Sequence, residues 1–258
     1  MGFDMNAFSL AGKKAIVTGG AKKTGLCYGM AVALHDAGAE IVILDANSQV
    51  ENTVAELGGA KSGYHAVVAN LLDLNDLSNG FQQAISALGG RLDILVNGAG
   101  LQYRCPSEEF PEDAWDRIMG VNIKGVFFMS QLAGKVMLKQ GKGKIINIAS
   151  TNSFIGLRNM PAYVSSKGGV KQLTMALSSE WSGRGINVNA IAPGYVLTDM
   201  TKDVMADEKN VAAVTRMISL RRYAMPEEIA GVVNFVASPA GGYLTGVLIP
   251  VDGGMTIN

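Results

Sequence analysis

Cysteine is scarce in this chain, and so is charge. Only Cys27 and Cys105 occur among 258 residues, with no spacing that suggests a metal site or a disulfide framework, so free thiols in a reducing cytoplasm are expected. Charged residues make up 17%, and Lys+Arg 22 against Asp+Glu 22 leave a formal net charge of +0. Without a basic excess or stripe, no nucleic-acid partner is expected. Met1 to Leu10 lacks the basic and apolar regions of a secretory signal. No apolar run approaches the roughly 20 residues that cross a bilayer, which leaves no membrane role. The two histidines, His35 and His65, have no ligand or acid–base partner in the pattern around them and read as ordinary fold positions; no metal is expected.

What is plentiful is apolar side chain, 48% of the total, enough for a large core. Short β-branched runs at 14–18, 40–44, 63–69, 92–96, 144–148, 187–191 and 247–251 alternate with helix-length segments at 25–37, 49–57, 74–88, 111–140, 161–181 and 226–237. Most of the runs are continuously apolar, as strands covered on both faces are. Pro111, Pro161 and Pro226 stand where a first helical turn tolerates proline. This alternation predicts right-handed βαβ units in an α/β, Rossmann-like, doubly wound parallel sheet of about seven strands, with helices on both faces. No linker, low-complexity tract or repeat interrupts it, so residues 1–258 are expected to form one domain. The polar segment 198–217 breaks the pattern. It reads as a helical lid over the carboxyl ends of the strands, with a solvated connection as the alternative.

The first run leads directly into Thr18-Gly19-Gly20-Ala21-Lys22-Lys23-Thr24-Gly25-Leu26 and then a helix. Glycine lets the backbone approach a pyrophosphate, and the N–H groups of a helix start face its charge. A Gly-rich turn is weak evidence in a chain with Gly 32, but its place between the first strand and first helix strengthens it. Asp45 ends the second run, 20 residues past Gly25. At that offset a carboxylate takes the ribose hydroxyls of NAD and repels a 2′-phosphate. Lys22 and Lys23 could neutralise either phosphate, yet Ala46 and Asn47 bring no cation. NAD is therefore the expected cofactor and NADP the alternative.

Tyr163 and Lys167 stand at i and i+4 of a predicted helix, on one face. A phenol of pKa near 10 is a poor base at neutral pH, and a nearby cation is expected to lower it toward the range a general acid/base needs. The spacing occurs at only this one of seven tyrosines, after a strand that ends at Ser150. That serine could polarise a substrate carbonyl or orient a hydroxyl.

With these stretches and others, the chain resembles the short-chain dehydrogenase/reductase family over nearly its whole length. The others are Asn97-Gly98-Ala99-Gly100 after the fourth strand, Asn122 in Val121-Asn122-Ile123-Lys124-Gly125, and Pro193-Gly194 followed by Thr198. The resemblance implies that Tyr163 exchanges the proton with the substrate oxygen, which Ser150 hydrogen-bonds. Lys167 would lower the tyrosine pKa and bind the nicotinamide ribose, and Asn122 would hold a water linking Lys167 to solvent. The dinucleotide would meet Gly19, Lys23, Thr24, Gly25, Leu26, Asp45, Asn70, Leu71, Asn97, Gly98, Ala99, Tyr163, Lys167, Pro193, Gly194, Val196 and Thr198. A homotetramer would pair the segments 111–140 and 161–181, with the Asp252-Gly253-Gly254 region in another interface. Two departures stand out. The glycine loop is two residues longer than TGxxxGxG, with Cys27 in place of the last glycine, where a side chain is expected to crowd the pyrophosphate. Asn97-Gly98 also replaces the usual Asn-Asn.

Within the family the wording resembles sugar-acid dehydrogenases, notably in Ala7-Phe8-Ser9-Leu10, in 144–150 and in 187–195. Such a substrate needs a cation for its carboxylate and donors for its hydroxyls. Arg104 and Arg158 fall on loops at the carboxyl side of the sheet, and Gln102, Asn152 and Tyr195 could meet hydroxyls, beside Ser150 and Tyr163. The expected reaction is reversible oxidation of a secondary alcohol to a ketone on a sugar acid or related polyol. Reduction of a 3-oxoacyl thioester and a non-catalytic dinucleotide-binding protein are the alternatives.

Overall fold

The computed structural model describes residues 4–257, the side chains of 203 and 204 excepted, so residues 1–3 and 258 of the expected domain lie outside the described residues. Seven strands form one parallel sheet: β1 (Lys14–Thr18), β2 (Glu40–Asp45), β3 (Tyr64–Val68), β4 (Ile94–Asn97), β5 (Gly143–Ile148), β6 (Ile186–Pro193) and β7 (Leu248–Val251). Their order is β3-β2-β1-β4-β5-β6-β7. The chain winds one way from β1 to β3, returns to start β4 on the other side of β1, and winds the opposite way. That reversal opens a crevice at the carboxyl ends of β1 and β4, where Thr18 pairs with Asn97.

Helices cover both faces. α1 (Leu26–Asp36), α2 (Gln49–Glu56) and α9 (Pro226–Ala237) pack on one; α3 (Leu74–Ala87), α5 (Val126–Gln140) and α6 (Pro161–Trp181) pack on the other. Alternate residues of each strand supply the two cores. Ala15 and Val17 of β1 join Met30, Leu34 and Val233, while Ile16 between them joins Phe81, Met129 and Leu177. The continuous apolar runs in the sequence reflect this double burial.

Apart from shifts of one residue at element ends, three features differ from the sequence pattern, each for a local reason. β4 starts at Ile94 rather than 92, because the Leu92 N–H donates to Gln140 Oε1 (3.0 Å) and its carbonyl accepts from Gln140 Nε2 (2.7 Å). β6 runs on to Pro193 because Ala190 to Pro193 pair with β7. The stretch 111–140 is not one α-helix. α4 (Glu112–Met119) and α5 are joined by a π-helical turn, Gly120–Gly125, whose wider ring turns Asn122 fully inward. Gly120 and Gly125 allow it to lie on Leu71 and Leu72: a Cβ at Gly120 would stand 2.5 Å from Leu72 Cδ2.

The segment 198–217 is helical in part, with α7 (Lys202–Met205) and α8 (Glu208–Met217). Asp207 caps α8 by accepting from the Lys209 N–H. Val214 and Ile218 bury against Tyr223 and Met255, with Tyr195 beside them, which ties the segment to the carboxyl end of β6.

Candidate active site

The glycine loop turns on Gly19 and Gly20, both in the left-handed region (φ +83° and +111°). The Gly19 N–H donates to the Leu44 carbonyl and the Gly25 N–H to that of Lys22, so the loop folds back and delivers Gly25 as the cap of α1. No side chain caps that helix, which leaves its first N–H groups facing the crevice. Thr18 Oγ1 accepts from the N–H groups of Gly98 (3.0 Å) and Ala99 (3.2 Å), holding the second glycine loop against the first.

Cys27 borders the crevice, as the substitution for glycine suggests, and is partly buried there. Its sulfur packs between the two loops: a Cβ at Gly98 would lie 2.6 Å from Sγ, and one at Gly19 3.1 Å. The small residue has moved to position 98, which accounts for both sequence departures together. Burial pushes the thiol up to about 12, the Asp45 carboxylate adding to the effect, so Cys27 is neutral.

The resulting cleft, about 830 Å³, runs from Asp45 and Asn70 at one end to Tyr163 and Lys167 at the other. Gly19, Gly25, Leu26, Leu71, Gly98, Ala99, Pro193, Gly194, Val196 and Thr198, all expected to meet the dinucleotide, line it between. Three residues of the same expectation do not line it. Lys23 turns outward into an ion pair with Glu56 on α2, and exposed Thr24 lies off the cleft. Asn97 is 2% exposed and works beneath the surface, donating to Ser130 Oγ and Asn147 Oδ1 (2.9 Å each). Lys22, not Lys23, borders the cleft. Arg117, Gln102 and Met200 also line it; Arg117 stands one turn before Val121 and Asn122 on the same helical run, a spacing that could have pointed to it.

Asp45 accepts from the Ala21 N–H (3.0 Å) through one carboxylate oxygen and the Asn47 N–H (2.9 Å) through the other, so the carboxylate is fixed at the cleft edge.

At the other end, α6 holds Tyr163 and Lys167 on one face, with Nζ 5.6 Å from the ring centroid. Lys167 is 5% exposed and donates to the Ile148 carbonyl (2.6 Å). Burial lowers the ammonium to about 8, with the Cys27 thiol opposing. For Tyr163 the expected direction is corrected. Desolvation raises the phenol above its ordinary range, the Ser150 hydroxyl pulling it back down and Tyr195 raising it further.

Ser150 lies two residues past the end of β5, at the cap of a short turn, rather than ending the strand as the sequence suggested, and is held by Asn152, whose N–H it accepts and whose Oδ1 it donates to (3.2 Å each). Asn122 is fully engaged: Oδ1 accepts from the Leu101 N–H (2.8 Å), and Nδ2 donates to the Leu101 carbonyl and to Ser166 Oγ. Ser166 in turn donates to the Tyr163 carbonyl (2.7 Å). Asn122 thus locks the π turn, the second glycine loop and the tyrosine helix into one unit.

Beside Ser150 and Tyr163 lies a second, smaller pocket of about 90 Å³, which shares Gln102, Gly194 and Met200 with the cleft. Its lining combines polar Arg104, Gln102 and Asn152 with apolar Leu157, Met160 and Met200, and includes Tyr195 and Gly194. Arg158 is exposed and does not line it, because Asn159 after it takes a positive φ (62°) that bends the chain back into α6. Among the described residues no three His, Cys, Asp or Glu gather as metal ligands, and no helix is long and apolar enough to cross a membrane.

Positive-φ glycines, an uncapped helix start and a fixed acidic residue fit a dinucleotide, and the cleft delivers its far end to a tyrosine, a serine and a lysine. Such a site defines a dinucleotide-dependent oxidoreductase. The chain belongs to the short-chain dehydrogenase/reductase family, whose members of this kind act on CH–OH groups: the family model described as enoyl-(acyl carrier protein) reductase matches residues 19–256. It is 42% identical to the 2-dehydro-3-deoxy-D-gluconate 5-dehydrogenase of Escherichia coli K12 over 97% of this chain and 98% of that one. It is 34% identical to the gluconate 5-dehydrogenase of Gluconobacter oxydans 621H over 97% of each. The crystal structure of a gluconate 5-dehydrogenase from Burkholderia cenocepacia J2315, in complex with NADP and tartrate, is similar with a TM-score of 0.93 at 31% identity, over 98% of both chains.

Proposed function

We propose that this protein reversibly oxidises a secondary alcohol of a sugar acid, or of a closely related polyol, to the ketone, with NAD as the redox partner. The observation that carries the substrate class is the guanidinium of Arg104 in the wall of the pocket that Ser150 and Tyr163 share. A carboxylate held there would bring a hydroxyl-bearing carbon toward the phenol, with Gln102, Asn152 and Tyr195 available to neighbouring hydroxyls. Relatives named for gluconate derivatives support the same class. A 3-oxoacyl thioester would use only the apolar part of this lining, Leu157, Met160 and Met200, and leave Arg104 without a carboxylate partner.

When bound, the nicotinamide supplies the hydride acceptor or donor. Tyr163 takes the hydroxyl proton during oxidation and returns it during reduction, while the Ser150 O–H donates to the same substrate oxygen. Lys167 holds positive charge beside the phenol and supports the nicotinamide ribose, and Asn122 positions the helix that carries both. Pro193, Gly194, Val196 and Thr198 close over the nicotinamide end, and we assign 198–217 as the lid. Asp45 supports NAD, since a fixed carboxylate repels a 2′-phosphate. NADP is the second reading, supported by Lys22 and Arg117 along the cleft and by NADP in a solved relative. We further propose a homotetramer, supported by exposed Trp115 on α4 and Met175 on α6; light scattering would measure it.

Absorbance at the reduced-nicotinamide band, with NAD and NADP each offered sugar acids, neutral sugars, polyols and simple alcohols, tests the reading. Activity is expected on sugar acids above the matching neutral sugars. Equal or greater activity on apolar alcohols would refute the assigned class.

A further inference from the structure

We propose that Lys22 is an anchor for the dinucleotide pyrophosphate, and that Asp199 at the start of the lid competes for it across the mouth of the cleft. The proposal rests on the dinucleotide reading above. The two lysines of the lengthened glycine loop diverge: Lys23 pairs with Glu56, while Lys22 borders the cleft with Nζ 3.9 Å from Asp199 Oδ2. Asp199 borders the same cleft from the other side.

Both partners stand on fixed bases. Next to Lys22, the Ala21 N–H donates to Asp45 and the Ala21 carbonyl accepts from buried Thr53 Oγ1 (2.6 Å), while the Lys22 carbonyl accepts from Gly25. Asp199 follows Thr198, whose N–H donates to Thr201 Oγ1 (3.1 Å) and whose carbonyl accepts from the same hydroxyl. Only the two side chains remain free to choose partners. Their ion pair is solvent-exposed (61% and 44%) and long, hence weak. A pyrophosphate offers two negative charges and several acceptor oxygens, so it outcompetes one exposed carboxylate. Because Lys22 must leave Asp199 to meet the dinucleotide, strengthening the Lys22–Asp199 pair weakens dinucleotide binding.

The test is a fluorescence titration of NADH at low ionic strength with the wild type, Lys22→Met, Asp199→Asn and the double variant. NADH is used because it lacks a 2′-phosphate, so a loss reads on the pyrophosphate; NADPH is run in parallel. Lys22→Met is expected to raise Kd roughly tenfold, and Asp199→Asn to lower it roughly threefold, both effects shrinking in about 0.5 M KCl. In the Lys22→Met background, Asp199→Asn should change Kd little. Unchanged NADH affinity in Lys22→Met, a loss confined to NADPH, or the same Asp199→Asn effect in both backgrounds would overturn the proposal. A folded wild type that binds neither dinucleotide would instead refute the cofactor reading beneath it.

Discussion

The Lys167 ammonium lies 5.6 Å from the centroid of the Tyr163 ring and gives its hydrogen bond, 2.6 Å long, to the carbonyl of Ile148. The pair is therefore assembled but not discharged. Desolvation raises the phenol and lowers the ammonium, so burial holds both nearer their neutral forms. Alcohol oxidation, which needs the phenolate, is expected to rise with pH, and reduction, which needs the phenol, to persist through neutral pH.

The buried lysine also gives stability a signature. Its pKa falls from 10.5 when unfolded to about 8 when folded. Below about 8 both states are protonated and the cost of burying the charge is fully present; from there to 10.5 the unfolded chain binds more protons, so stability climbs with pH. Lys167→Met lacks that climb. Denaturant unfolding of both proteins across this range should show the variant gaining most, relative to wild type, at neutral pH. A stability difference independent of pH would remove this account of Lys167.

Of the two arginines, only Arg104 borders the substrate pocket. Arg104→Ala should raise KM for acid substrates roughly tenfold or more, as expected on losing a charge-assisted contact, while affecting neutral polyols little. Arg158→Ala should leave both unchanged. Equal effects of the two substitutions, read by steady-state kinetics, would place carboxylate recognition elsewhere.

Asp45→Ala should relax discrimination against NADPH. Because the same carboxylate holds Ala21 and Asn47, NADH binding should weaken as well. The ratio of kcat/KM for the two dinucleotides checks this, and an unchanged ratio would deny Asp45 its role in cofactor choice.

Much of this was legible in the sequence. Doubly buried strands write themselves as apolar runs, Asp45 ends β2 at the expected offset from Gly25, and the i, i+4 spacing of Tyr163 and Lys167 early in α6 was visible without the fold. The rest depended on tertiary packing. Which of Lys22 and Lys23 faces the cleft is settled by Glu56, distant in sequence. The break of 111–140 into α, π and α turns follows from Leu71 and Leu72 beneath Gly120 and Gly125. The fit of Cys27 required knowing that Gly98 lies against it. The direction of the Tyr163 shift could not be read from spacing, because i, i+4 geometry says nothing of desolvation.

The central claim is that Tyr163 carries the proton beside a bound dinucleotide, and Tyr163→Phe tests it most directly. NADH affinity by fluorescence titration should stay within a few-fold of wild type, while kcat for sugar-acid oxidation falls by roughly 10³-fold, the scale of removing a general acid/base. Wild-type turnover in this variant would contradict the account.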